Sequence, residues 1–230
     1  MGGGVILAIE SATPNGSVAL LSGGDLLGEI LLPRGRQLSE TCLAAIDRLL
    51  RESGHGPEGV GHVAVSSGPG SFTGLRVGMA AAKGFCFGWE RPIVPVPTLH
   101  ALAMRFPLEG TTVCPVLDAR RKEVYAGFFR WEGGICLRTA PDTALPPEEL
   151  PGRLPPGPVL FCGDGTVPYG EGLREALGER ALFPPPGEGL PRASAVGRLA
   201  LLLLGEGKGA HPRDVVPAYL RPSEAERKRP

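Results

Sequence analysis

Hydrophobic positions along the chain fall into short runs separated by glycine, proline and polar clusters, and the period of each run predicts its element. Val5 to Ile9 is continuously apolar, as in a strand covered on both faces, and it ends in the polar turn Glu10-Ser11-Ala12-Thr13-Pro14-Asn15-Gly16. Ser17 to Leu21 and Leu26 to Leu32 read as two more strands joined through Ser22-Gly23-Gly24-Asp25, so a three-strand meander opens the chain. From Ser39 to Ser53 the period becomes helical, with Leu43, Ile46, Leu49 and Leu50 on one side and Asp47, Arg48 and Arg51 on the other, until Gly54 and Pro57 stop it. A strand through Val63 and Val65 then runs into the turn Gly68-Pro69-Gly70, and Ser71 or Thr73 caps a helix that ends near Gly88. Pro92 to Val96 is a short strand, and Thr98 caps a further helix through Ala101 and Met104.

A second unit starts at Thr111, with strands Val113 to Leu117, Glu123 to Trp131 and Ile135 to Arg138 repeating the opening meander. Pro141 to Pro158 reads as loops with at most one short helix. Val159 to Cys162 is a buried strand ending at Gly163-Asp164-Gly165, and Leu182 to Pro191 is a proline-rich crossing. Ala193 to Gly205 is a helix apolar almost all round, expected between the lobes or packed back onto them. The pattern divides the chain into a lobe over 1–106, a smaller lobe over 107–192, a terminal helical segment over 193–220 and a charged, frayed tail over 221–230. The fold class is α/β, with two similar lobes.

The helix after Gly70 has an unusual face: Gly74, Gly78 and Ala82 recur every fourth residue, with Ala81 beside them. Glycine inside a helix costs roughly 0.5–1 kcal/mol relative to alanine, so backbone proximity to some other object must offset the loss. That object is the chain's own sheet, a ligand or a second protein.

Composition narrows the function classes. A net charge of zero argues against holding nucleic acid by the chain's own electrostatics, so any RNA role needs a partner's charge. Four lysines stand against twenty arginines, and Asn15 and Gln37 are the only side-chain amides, a pattern of heat-adapted proteins and equally of a GC-rich genome. Five scattered cysteines without a CxxC suit reduced, buried thiols in a cytoplasmic protein. The first residues carry no basic region, Ile6 breaks a myristoylation pattern, and no apolar run reaches transmembrane length.

Two turns are candidates for binding phosphate: Glu10, Ser11 and Thr13, and then Gly68, Gly70 and Ser71 ahead of a helix N-terminus. Each taken alone is also what an ordinary structural turn looks like. Neither a dinucleotide fingerprint nor a Walker motif occurs, and Phe72 stands where G-x-S-x-G needs its nucleophile. No histidine has a partner at ligand spacing, so no metal is expected. Asp118-Ala119-Arg120-Arg121-Lys122-Glu123 puts carboxylates among cations at a strand end, the composition of a solvated, self-neutralising turn.

Taken together, Ile6 to Thr13, Gly68 to Gly78 (GPGSFTGLRVG), Pro97 to Ala103, Asp118 to Tyr125 (DARRKEVY) and Pro217 to Arg221 resemble the bacterial TsaB family, also called YeaZ. The resemblance implies an actin-like or Hsp70-like (ASKHA) fold of two lobes, each with a mixed sheet opening in a meander. It also implies a non-catalytic scaffold or activator role in making threonylcarbamoyladenosine on tRNA, beside the TsaD paralogue and a TsaE-like ATPase. No catalytic residue follows from it. A metal-binding histidine pair of the paralogue is represented here by His100 alone, and Glu10 stands where relatives carry aspartate. Weak ATP or ADP binding at the complex interface is the only cofactor role left open. The partner or homodimer surface is expected at Leu43, Ile46 and Leu50 of one helix and Thr73, Gly74, Val77, Gly78, Ala81 and Ala82 of the next. Asp118, Arg120, Glu123 and Tyr125 form a family motif of unassigned role. An ATP-using enzyme of the sugar-kinase type and a glycopeptidase-like metalloprotease are the competing readings.

Overall fold

A computed structural model describes residues 4–32 and 38–221. The chain divides into two compact units, Met1–Ala101 with Pro191–Ala218 and Leu102–Leu190 with Tyr219–Pro230. The expected frayed tail lies, beyond Arg221, outside the described residues.

In the first unit the meander forms as β1 (Val5–Glu10), β2 (Ser17–Ser22) and β3 (Asp25–Leu31), followed by α1 (Leu38–Glu52), β4 (Val60–Gly68), α2 (Phe72–Trp89) and β5 (Ile93–Pro97). The sheet order is β3-β2-β1-β4-β5, with β1 to β3 antiparallel and β1, β4 and β5 parallel. Every residue of β1 is buried, which is why the run from Val5 carries no alternation. Val5, Leu7 and Ile9 meet Val18, Leu20, Val63 and Val65 in a core that α1 closes with Ile46, Leu49 and Leu50, and α2 with Met79, Ala82 and Cys86. The helix α5 (Ala193–Gly205) belongs to this unit: Leu21 of β2 lies against Gly197, and Ser17 Oγ accepts the Ala193 N–H at 2.8 Å. The short α3 (Thr98–Ala103) follows β5 directly.

The second unit repeats the plan. β6 (Thr112–Asp118), β7 (Val124–Glu132) and β8 (Ile135–Leu145) form the meander, and β9 (Val159–Cys162) and β10 (Ala181–Leu182) extend it in parallel, giving the order β10-β9-β6-β7-β8. Both units thus carry the ASKHA strand pattern. β8 runs seven residues past the expected Arg138, through Pro141; it is an edge strand, where a missing N–H need not break a ladder. The loops expected after Pro141 therefore shorten to two 3-10 turns, Pro147–Glu149 and Pro151–Arg153. The helix α4 (Thr166–Leu177) has no signal in the sequence pattern, because Pro168, Gly170 and Gly172 interrupt it. It is held by tertiary contact, with Leu173 buried and Gly170 against the Phe183 ring.

No helix among the described residues is long and apolar enough to cross a membrane. All five cysteines are buried. Burial pushes the thiols of Cys42 and Cys86 up to about 11 and that of Cys136 up to about 12, and raises Cys114 and Cys162 as well. Since the thiolate is the reactive form, an aromatic disulfide reagent at pH 8 should titrate less than one thiol per native chain within minutes, and all five in denaturant. Prompt reaction of the native protein would show that these sites open readily.

Candidate functional site

The two turns singled out from the sequence meet at the carboxyl ends of β1 and β4. Ser11 N–H donates to Ser66 Oγ at 3.1 Å, and Ser71 N–H donates to Ala12 O at 2.7 Å, so each turn fastens the other. Ser71 Oγ also caps α2 by accepting the Gly74 N–H at 3.3 Å. Gly68 donates its N–H to Thr98 Oγ1 at 3.2 Å, and Ala218 N–H donates to Ser67 O at 2.7 Å. Ala218 therefore lies over the glycine turn within this unit. Gly68 has φ +124°, and a Cβ there would overlap Ala218 O, so only glycine fits.

Glu10, Ser11 and Thr13 are buried, and Glu10 Oε1 accepts the Ala12 N–H at 2.6 Å. A phosphate cradle needs convergent backbone N–H groups. Here those of Ser11, Ala12, Gly68 and Ser71 are donated within the protein, and Pro69 has none. The structure thus brings Glu10, Ser11, Thr13, Gly68, Gly70 and Ser71 together, as two turns clasped on each other.

The same contact identifies what approaches the small face of α2. A Cβ on Gly74 would overlap Ser11 O, and one on Gly78 would overlap Ser11 Oγ. The approaching object is the chain's own β1 turn, which corrects the expected partner surface. Gly78, Ala82, Ile46 and Leu50 lie inside the unit, because a residue packed on the sheet cannot also face a second protein. Of the remaining positions Leu43 is 58% exposed and Thr73 is exposed, while Gly74, Val77 and Ala81 are half-buried. The open side of α2 is rotated from the predicted one and runs through Thr73, Val77, Ala80, Gly84 and Phe87, with open space beyond Gly84. Ala80, Gly84 and Gly88 have the same fourfold spacing as the inner glycines, so the sequence held two small stripes.

In the second unit Asp118 N–H donates to Asp164 Oδ1 at 3.1 Å, and Arg120 both pairs with Asp118 at 3.2 Å and donates its N–H to Oδ1 at 2.8 Å. Burial raises the Asp164 pKa from its ordinary value. Glu123 pairs with Arg221, and Tyr125 is half-buried on β7. Arg120, Arg121 and Lys122 all have left-handed backbone, a costly run for residues with side chains. The motif is thus a tied strand-end turn, and Gly163 and Gly165 close on Val116 as Gly70 closes on Ala12. Among the described residues no three His, Cys, Asp or Glu side chains are grouped to hold a metal.

The close approach at Ser11 yields a double-mutant test. Gly78→Ala should destabilise the fold by about 1–3 kcal/mol through overpacking, and Ser11→Gly should restore much of that loss in the double variant. Gly74→Ala should show no such rescue, because its obstacle is the Ser11 carbonyl, which every residue keeps. Urea denaturation of the wild type, the three single variants and the two double variants with Ser11→Gly measures the coupling; equal rescue at both positions would refute the assigned contacts.

The family model described as "TsaD: tRNA N6-adenosine threonylcarbamoyltransferase" matches residues 32–166. The tRNA threonylcarbamoyladenosine biosynthesis protein TsaB of Escherichia coli (strain K12) is 34% identical over 233 residues, covering 98% of each chain. Its namesake from Bacillus subtilis (strain 168) is 30% identical over 226 residues, covering 97% of this chain and 96% of that one. Among solved structures, YeaZ from Pseudomonas aeruginosa superposes with a TM-score of 0.79 at 29% identity, covering 94% of this chain and all of that one. Near-complete coverage at these identities, on a fold with the same strand plan, makes the chain a member of the TsaB (YeaZ) family.

Proposed function

We propose that the chain is a non-catalytic subunit of the machinery that places threonylcarbamoyladenosine on tRNA, and that it acts by binding and activating its threonylcarbamoyltransferase paralogue. One observation carries the non-catalytic part: the turns that a nucleotide-using relative would open to phosphate are clasped on each other by their own N–H groups. With Pro69 lacking a donor and the longer Glu10 filling its turn, binding of ATP or ADP by the chain alone is weak, and any such site is completed at the complex interface. This weighs against the sugar-kinase reading, and the absence of a ligand cluster among the described residues gives the metalloprotease reading no support.

The working surface in this reading is the outer side of α1 and α2, at Leu43, Thr73, Val77, Ala80 and Gly84. Small residues there let a facing helix come close. The isolated chain pairs with itself through this surface and exchanges that contact for the paralogue. A TsaE-like ATPase and tRNA join only in the assembled complex, since a chain of zero net charge is poorly suited to hold tRNA unaided. The setting is the cytoplasm, where buried thiols stay reduced.

Gly84→Arg and Leu43→Glu separate surface from fold. Both side chains point to open space, so stability should hold within about 0.5 kcal/mol or rise slightly at the former glycine. Mass measurement in solution should show loss of the complex with the transferase, and tRNA modification by the reconstituted system should fall to the level without this chain. Full-rate modification by a variant that no longer binds the transferase would overturn the activator role. Modification by the isolated wild-type chain would overturn its lack of catalysis.

A further inference from the structure

At the other end of the first unit's sheet, a cleft of about 740 Å³ opens between the end of α2 and the segment after α5. Its walls include His62, Phe87, Arg91, Leu204, His211 and Arg213. His62 lies near the start of β4, six residues before Gly68, so at about 3.3 Å per residue the cleft is ~20 Å from the clasped turns. The walls are fixed to each other: Ile93 and Ala210 exchange backbone hydrogen bonds at 3.1 and 2.9 Å, joining the segment after α5 to β5.

We propose that this cleft binds the phosphate group of a small organic phosphomonoester, with the organic part lying on the apolar wall. Arg91 and Arg213 supply two guanidinium groups, the fork geometry that matches a phosphate. Arg91 is held in place by donating from Nη2 to Glu58 O at 2.9 Å, while its Nε–H, buried, has no acceptor among the described residues. Buried donors without acceptors are rare in finished proteins, and an oxyanion supplies the acceptor lacking here. His211 Nδ1 accepts the Arg213 N–H at 3.2 Å, which leaves the ring proton of the neutral form on Nε2, free to donate. Phe87, edge-on to His211 with centroids 6.3 Å apart, forms the apolar wall with Leu204 and Pro212.

Glu90 lines the cleft, and both α2 and α5 end there with the negative pole of the helix dipole. Some of the terminal carbonyls are, however, already capped: Cys86 O by Glu90 and Arg91 N–H, and Leu202, Leu203 and Leu204 O by the residues that follow. At the same cleft, burial and then the Arg91 charge hold the His62 pKa below its ordinary value. That is the environment an anion would relieve.

The chain has four histidines, and their ring proton resonances test the proposal. His62 and His211 line the cleft, whereas His100 is on α3 and His55 follows α1. Titration with phenyl phosphate at constant pH should shift His62 and His211, identified through His62→Gln and His211→Gln, and leave His55 and His100 in place. The affinity should be in the millimolar range or tighter, about tenfold weaker in Arg213→Gln, whose exposed side chain is not needed for folding. Inorganic phosphate should shift the same two rings with lower affinity, and phenol should not. The proposal is overturned if phenyl phosphate moves neither ring, if phenol moves them equally, or if Arg213→Gln binds unchanged. A short RNA that shifts them where phenyl phosphate does not would also overturn it, in favour of a polynucleotide surface.

Discussion

The first unit depends on how closely α2 can lie on the β1 turn. Ser11 presents its carbonyl to Gly74 and its hydroxyl to Gly78, each at a distance that no Cβ would permit. This contact fixes α2 against β1, and α2 in turn sets the path of β4 and β5 on one side and the packing of α1 on the other. The helix accepts about 0.5–1 kcal/mol for each interior glycine because the strand core behind Ser11 can then close without a void. The hydrogen bonds from Ser11 to Ser66 and from Ser71 to Ala12 lock the same contact from the loop side.

Much of this was legible in the sequence, for reasons that also mark where legibility ends. Strands such as Val5–Glu10 and Val159–Cys162 are buried on both faces, and an unbroken apolar run between polar turns has few other readings. The small stripe on α2 correctly signalled a close approach, but spacing cannot name the approaching object. Gly78 serves Ser11 while Gly84, on an equivalent fourfold spacing, faces open space. Only burial separates them. The helix α4 escaped because Pro168, Gly170 and Gly172 lower its intrinsic preference, and its existence rests on Leu173 and the Phe183 ring, both tertiary facts. The extension of β8 through Pro141 escaped for a related reason: whether a proline is tolerated depends on whether the strand is at an edge.

The two units solve one problem with different residues. Each joins an antiparallel meander to two parallel strands, and each must turn the chain sharply where the fourth strand of its sheet ends beside the first. In the first unit Gly70 closes on Ala12 and a buried Glu10 accepts a backbone N–H of its own turn. In the second, Gly163 and Gly165 close on Val116, and Asp164 accepts the backbone N–H of Asp118. The backbone plan is shared although the sequences show no obvious identity, because it is the close approach that is specified and not the side chains that line it.

This economy of space bears on how a subunit without an open phosphate turn can still be useful. A protein that works by contact stabilises one conformation of its partner only to the extent that its own surface is already in the right shape, since ordering a loose surface would consume the differential affinity. The clasp at Ser11 removes donors from a site that could bind phosphate, and by the same hydrogen bonds it anchors the N-terminus of the helix whose outer side carries Thr73, Val77, Ala80 and Gly84. Closing the turn and stiffening the helix are one physical event. If the proposed surface is the working one, a closed phosphate turn is part of how the outer face of α2 is held in shape for a partner.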